Sequence, residues 1–115
     1  MTEIVICGYA RSAFTPAKKG QLAKTRPDDL AAEVVKGLIK KNNINPNDIE
    51  DLVLGCAFPE AEQGMNLARN VVFLSDLPHS VGGVTVNRSC ASPMQAILQA
   101  AGAIPSGASH LFIAA

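Results

Sequence analysis

Short apolar runs alternating with helix-spaced stretches constrain this chain more than any other feature. Ile4-Val5-Ile6-Cys7, Leu52-Val53-Leu54, Val84-Thr85-Val86 and His110-Leu111-Phe112-Ile113-Ala114 are short, β-branched or bulky, and bounded by turn residues. Such runs read as strands. The unbroken apolar character of the first predicts burial on both faces, as in a parallel sheet covered by helices.

Three helical stretches fill the gaps. Pro27 opens the first, with Asp28 and Asp29 in its first turn and Lys36, Lys40 and Lys41 near its end. Both charge biases follow the helix dipole. Leu30, Val34 and Leu38 recur every four residues and are expected to form its buried face. Gly37 costs that helix about 1 kcal/mol against Ala unless something packs closely on it. Asn66 can cap a second helix carrying Leu67, Ala68, Val71, Val72 and Leu74, ended by Asp76-Leu77-Pro78. Met94, Ile97, Leu98, Ala101 and Ile104 place one apolar face on a third, ended near Pro105-Ser106-Gly107. The order is βαβαβαβ. An α/β fold with a mostly parallel sheet follows, its first strand, first helix and second strand making a right-handed βαβ unit.

In such a sheet, binding and reacting groups gather beyond the carboxyl ends of the strands. Gly8-Tyr9-Ala10-Arg11, the loop from Cys56 to Gln63, and Asn87 to Cys90 are all expected there. The ending, Ile113-Ala114-Ala115, stops at a buried strand without a closing helix and would leave half a layer uncovered. Residues 1–115 therefore read as one domain, incomplete at its C-terminal end.

Composition removes several functions. Ten basic residues balance ten acidic ones, which leaves no electrostatic case for nucleic acid or an anionic membrane surface. Trp is absent and aromatic residues make up 4%, too few for base stacking. No apolar run reaches membrane-spanning length, and Met1-Thr2-Glu3 is no basic signal-peptide start. Cys7, Cys56 and Cys90 are odd in number and far apart. That spacing predicts a reducing, cytoplasmic location, with neither a disulfide framework nor a metal site.

Cys90 is the candidate site residue. It stands on the joint between the third strand and the third helix, where orphan N–H groups of the helix start favour a thiolate. Proline belongs in a first turn, so Pro93 fits either Ser92 or Cys90 as the N-cap. A free cysteine is also commonly a small buried hydrophobe, and no histidine or other base lies near Cys90 in sequence.

Longer motifs point further. Thr25-Arg26-Pro27-Asp28-Asp29-Leu30-Ala31, Leu54-Gly55-Cys56, Glu62-Gln63-Gly64-Met65-Asn66-Leu67-Ala68-Arg69 and Thr85-Val86-Asn87-Arg88 leading into Cys90 run the length of the chain. The sequence resembles the beginning of the N-terminal half of the thiolase family. Asn87-Arg88-Ser89-Cys90, followed by Met94-Gln95-Ala96-Ile97, is similar to the family's nucleophile segment, and its wording is nearest to degradative 3-ketoacyl-CoA thiolases of fatty-acid β-oxidation.

The resemblance implies a ping-pong acyl transfer. Cys90 as thiolate would attack a 3-ketoacyl-CoA, release acetyl-CoA, and pass the shortened acyl group to coenzyme A, a co-substrate and not a resident cofactor. The backbone N–H of Cys90 would help hold one oxyanion. It also implies a homodimer or higher homo-oligomer paired through the strand from Val84 to Asn87, and association with a β-oxidation multienzyme partner. The family's activating histidine, in a Gly-His-Pro motif, and second cysteine, in a Cys-x-Gly motif, lie in the C-terminal half with most of the coenzyme A surface. Neither motif occurs here, so His79, His110 and Cys56 are expected to be structural. The isolated chain is expected to be inactive. Pro93 departs from the glycine usual in the family and projects a ring toward the pocket. Two other readings stand beside the enzyme: a truncated or degenerate non-catalytic module, and a β-ketoacyl synthase relative, which fits Asn-Arg-Ser-Cys poorly.

Overall fold

The computed structural model describes residues 3–115. Helix α1 spans Pro27–Asn42, strand β1 Asp51–Gly55, helix α2 Leu67–Leu74, strand β2 Gly82–Val86, helix α3 Ser92–Ala103 and strand β3 Phe112–Ala114. One-turn 3-10 helices at Pro46–Asp48 and Ala61–Gln63 lie on either side of β1 in the chain. The sheet has the order β2-β1-β3 and is parallel throughout, with Val53 opposite Val84 on one side and Ala114 on the other. The expected parallel α/β architecture is present.

Two crossovers fix the layers. The chain steps from β1 to β2 in one direction and returns over β1 to β3 in the other. Right-handed connections then place α2 and α3 on opposite faces. β1, covered on both sides, is the most buried element, with Leu52, Val53 and Leu54 at 0, 2 and 6% exposure. Alternation sends Leu52 and Leu54 into a core with Ala32, Val35, Leu67, Ala68, Val71 and Val72. Val53 faces the other layer, where α3 buries Ala96 and Ala100.

Helix α1 is bounded as its sequence specifies. Pro27 starts it, and Asn43 closes it in the left-handed region (φ 50°) with its N–H on the carbonyls of the last turn. The Arg26 guanidinium donates two hydrogen bonds, of 3.0 and 2.7 Å, to the Asp28 carboxylate. That bond holds the buried Asp28 below the usual carboxylate range. Arg26 also reaches Glu62 at 3.4 Å and ties the start of α1 to the loop beyond β1. Nothing packs on Gly37, so its helix penalty stands unrelieved.

Several expectations are corrected. Residues 4–7 form no strand, and Ile4, Val5 and Ile6 are 41, 68 and 80% exposed. Both sides of β1, the neighbour expected for this run, are taken by β2 and β3, and residues 4–7 join neither outer edge of the sheet. The segment instead walls an apolar cavity of about 510 Å³ with Val34, Leu38, Ile97 and β3. The first βαβ unit therefore does not form, and the observed units are β1-α2-β2 and β2-α3-β3.

Second, the buried residues of α1 are Asp28, Ala32 and Val35, while Leu30, Val34 and Leu38 are half-buried and turned toward cavities. Third, α3 buries Ser92, Ala96 and Ala100 and leaves Met94, Ile97 and Leu98 exposed. The helix lies so close to the sheet that only small side chains fit beneath it. Last, the N-cap of α3 is Ala91, so neither Ser92 nor Cys90 holds that position; Ser92 and Pro93 are the first two helical residues. On α2, Leu74 is also exposed while Leu67, Ala68, Val71 and Val72 are buried.

Candidate active site

The carboxyl end of β2 carries the chain into a tight turn, Asn87-Arg88-Ser89-Cys90-Ala91, before α3 begins. Ser89 occupies the left-handed region with φ 50°, uncommon for a residue with a side chain. Around it the backbone is tightly bonded. Ala91 N–H donates to the Arg88 carbonyl at 3.1 Å and Ser92 N–H to the Ser89 carbonyl at 3.2 Å. The Asn87 side-chain carbonyl accepts from Ser89 N–H at 3.0 Å. An Asn bonding the N–H two residues on is an Asx turn, and Asn-Arg-Ser carries the signal for it in the sequence. Cys90 stands exposed on this turn.

Two glycines bring the flanking elements close. A Cβ on Gly55 would stand 2.5 Å from the Pro93 nitrogen and 2.6 Å from the Ser92 carbonyl carbon, so α3 rests its first turn directly on the end of β1. A Cβ on Gly83 would lie 2.7 Å from the Arg69 backbone, which seats α2 against β2. Only glycine permits either approach.

Asn66 joins these parts. As N-cap of α2 it accepts from Arg69 N–H at 3.3 Å and from the Thr85 hydroxyl at 2.8 Å, and it donates to the Gly83 carbonyl at 2.7 Å. The Thr85 hydroxyl in turn accepts Ala68 N–H at 3.0 Å. Arg69 donates to the carbonyls of Val81 and His79 and lies over the Phe73 ring at 4.4 Å. The Gln-Gly-Met-Asn-Leu-Ala-Arg motif thus ties α2 to the strand that delivers Cys90.

The loop of residues 56–63 joins the turn at the same end. Cys56 N–H donates to the Val86 carbonyl at 2.9 Å, and the Asn87 amide donates to the Ala57 carbonyl at 3.3 Å. Cys56 itself is buried in the core, away from solvent. Gly8 and Tyr9, expected at this end, are elsewhere. Lys41 donates to the Tyr9 carbonyl at 3.2 Å and covers its ring, and Gly8 abuts Asn42. Both contacts are at the last turn of α1, roughly 24 Å along the helix from the Arg26–Glu62 end. The unpaired segment 4–7 delivers these residues to the end of α1 that leads into β1, opposite the carboxyl ends of the strands.

Neither histidine accompanies Cys90. His79 lies in the turn ahead of β2, its ring edge-on to Phe73 at 5.5 Å, and His110 precedes β3. Both are at the amino ends of parallel strands, and Cys90 is at the carboxyl end.

The family model for the thiolase N-terminal domain matches residues 4–115. The chain belongs to the thiolase family. It is 49% identical over 114 residues to a 3-ketoacyl-CoA thiolase of Bacillus subtilis (strain 168), covering 99% of this chain and 29% of that protein. It is 45% identical over 111 residues to a 3-ketoacyl-CoA thiolase of Acinetobacter baylyi (strain ATCC 33305 / BD413 / ADP1), covering 96% of this chain and 28% of that protein. A relative of the same description from Psychrobacter sp. (strain PRwf-1) is 40% identical over 111 residues. The chain spans less than a third of the length of the thiolases it matches.

Proposed function

We propose that this thiolase-family chain is the nucleophile-bearing part of a CoA-dependent acyltransferase that cleaves 3-ketoacyl-CoA, with Cys90 as the group that takes the acyl unit. The observation that carries the reading is the exposed Cys90 thiol at the β2–α3 joint, within Asn-Arg-Ser-Cys. Sulfur suits the task, being a nucleophile near neutral pH and a good leaving group from a thioester. The Cys90 thiolate attacks the 3-keto carbonyl and a sulfur–carbon bond forms. The bond between carbons 2 and 3 breaks, and the enolate of acetyl-CoA takes up a proton. The thiolate of coenzyme A then attacks the acyl-enzyme, releases a shortened acyl-CoA and restores the Cys90 thiolate.

The His79 and His110 positions support the further reading that this chain alone does not turn over. Activation of the thiol and protonation of the enolate require groups that the described residues do not bring to Cys90. β2 is an edge strand of the sheet, which supports pairing of the stretch from Val84 to Asn87 with a second copy. Association with a β-oxidation multienzyme partner is proposed from the family alone. Three free cysteines fit a reducing, cytoplasmic compartment.

Incubation with acetyl-CoA at mildly alkaline pH, followed by intact mass and peptide mapping, tests the role of Cys90. The expected result is an acetyl adduct on Cys90 that forms faster than on the exposed Cys7 and is absent in Cys90→Ser, with no release of acetyl-CoA from a 3-ketoacyl-CoA. An adduct that prefers Cys7, or none on Cys90, rejects the nucleophile. It would favour the non-catalytic module, a reading for which the missing base at Cys90 is the supporting observation.

A further inference from the structure

We infer that Ser92 is a positioning residue for Cys90, an inference that rests on the reading of Cys90 as the nucleophile. Ser92 is 1% exposed and belongs to a small group of fully buried side chains that otherwise consists of aliphatic residues. Its hydroxyl uses both of its hydrogen-bonding functions on the turn that carries the thiol. It accepts from Arg88 N–H at 2.8 Å and donates to the Ser89 carbonyl at 2.6 Å.

These two bonds fall on either shoulder of the left-handed residue. The β2 ladder ends at Val86, so Arg88 N–H is past the last strand pair and depends on Ser92 for its partner. The Ser89 carbonyl points back into the start of α3, where it receives both the hydroxyl and the backbone N–H of Ser92. A non-glycine residue in this region reverts to the ordinary one unless its surroundings over-determine it. Ser92 supplies that determination from the protein interior, and Asn87 supplies it from the solvent side.

Ser92 is also fixed from below. Its Cβ would lie 2.9 Å from a Cβ on Gly55, so its backbone rests on the most buried strand of the molecule. The line of contact runs from β1 through Gly55 to Ser92, then through one hydroxyl to both sides of the turn, and so to Cys90. Removal of the hydroxyl leaves Arg88 N–H without its partner and the Ser89 carbonyl with the Ser92 backbone N–H alone. The turn relaxes, and Cys90 is no longer held in place ahead of the first turn of α3.

The test uses the 115-residue chain, with Cys7 as an exposed reference thiol and Cys56 as a buried reporter of folding. Acetyl-CoA is the acyl donor and iodoacetamide the alkylating probe, and the adducts are mapped across pH. In Ser92→Ala the Cys90:Cys7 ratio is expected to fall about tenfold. The pH profile of Cys90 is expected to move while that of Cys7 does not, with Cys56 still protected. Ala96→Gly, which weakens the same helix without touching the turn, should leave ratio and profile unchanged. If Ser92→Ala fails to fold, hydrogen exchange on the wild-type chain decides the matter: Arg88 N–H, held by the buried hydroxyl, should exchange at least about tenfold more slowly than an unbonded amide of the same sequence. Wild-type ratio and profile in a Cys56-protected Ser92→Ala chain overturn the inference, as does an Arg88 N–H that exchanges at the unprotected rate in the wild-type chain. A wild-type chain in which Cys90 does not outpace Cys7 overturns the nucleophile reading itself and this inference with it.

Discussion

Residues 4–7 and residues 52–54 are close to interchangeable as sequence: each is a short apolar run suited to a strand. One lies exposed along a cavity and the other is the most buried strand in the fold. Side-chain preference does not separate them. Leu52-Val53-Leu54 has a parallel neighbour on either side and a helix on either face. Residues 4–7 have a cavity on one side and solvent on the other. A strand is a relation between segments, and apolar character only admits a segment to it.

The contrast is sharpest where the buried run ends. Gly55→Val would place a branched side chain into the Pro93 and Ser92 backbone, which cannot yield without lifting α3 off the sheet. Overpacking against backbone of this kind is expected to cost about 4 kcal/mol or abolish folding. Urea titration followed by circular dichroism checks it, and a Gly55→Val chain with a wild-type midpoint would show that the close approach is absent. At the corresponding glycine after the exposed run, Gly8, the nearest atoms belong to the Asn42 side chain, whose far end can swing aside.

A second comparison isolates hydrogen bonding from packing. Asn66→Ala removes the N-cap bond to Arg69 N–H and both ties to β2 while leaving every core side chain in place. A loss of about 2 kcal/mol is expected, the upper end for a cap because strand and helix are held at once. Hydrogen exchange should localise the loss to α2 and β2. Uniform loss across the sheet would mean that Asn66 serves the whole core.

The smallest effect is the most informative. Val53→Thr puts a hydroxyl into a dry site and should cost about 2 kcal/mol, whereas Val5→Thr should change stability by less than about 0.5 kcal/mol. Equal losses in the two variants would show that residues 4–7 are packed as tightly as β1, and the comparison would collapse.

Where the sequence spoke through local chemistry, it was legible. Pro27 with its two aspartates, Asn66 before Leu67, and Ser92-Pro93 all mark true helix starts, because caps and first turns are decided by residues close in sequence. Cys90 is placed at a strand-to-helix joint for the same reason. What failed was non-local. Which of several apolar runs pair depends on the whole topology, and so did the destination of Gly8 and Tyr9. Periodicity identified an apolar stripe on α3 but not which face the sheet would take. The small residues Ala96 and Ala100 won that face because helix and sheet meet at backbone distance. Gly55 announced that distance, yet a lone glycine after a strand carries no address for its partner.

The seat of α3 on Gly55 has a consequence for how such a chain tolerates change. Main chain meets main chain there, so the location of the thiol is recorded in the backbone and not in the bulk of any side chain. Substitutions on the outer surface of the helix can accumulate over a lineage without displacing the sulfur. Proline is accommodated at position 93 because its nitrogen, the atom nearest the Gly55 approach, is common to every residue. Change on the outer surface of the helix is therefore cheap, and change in where the thiol stands is not.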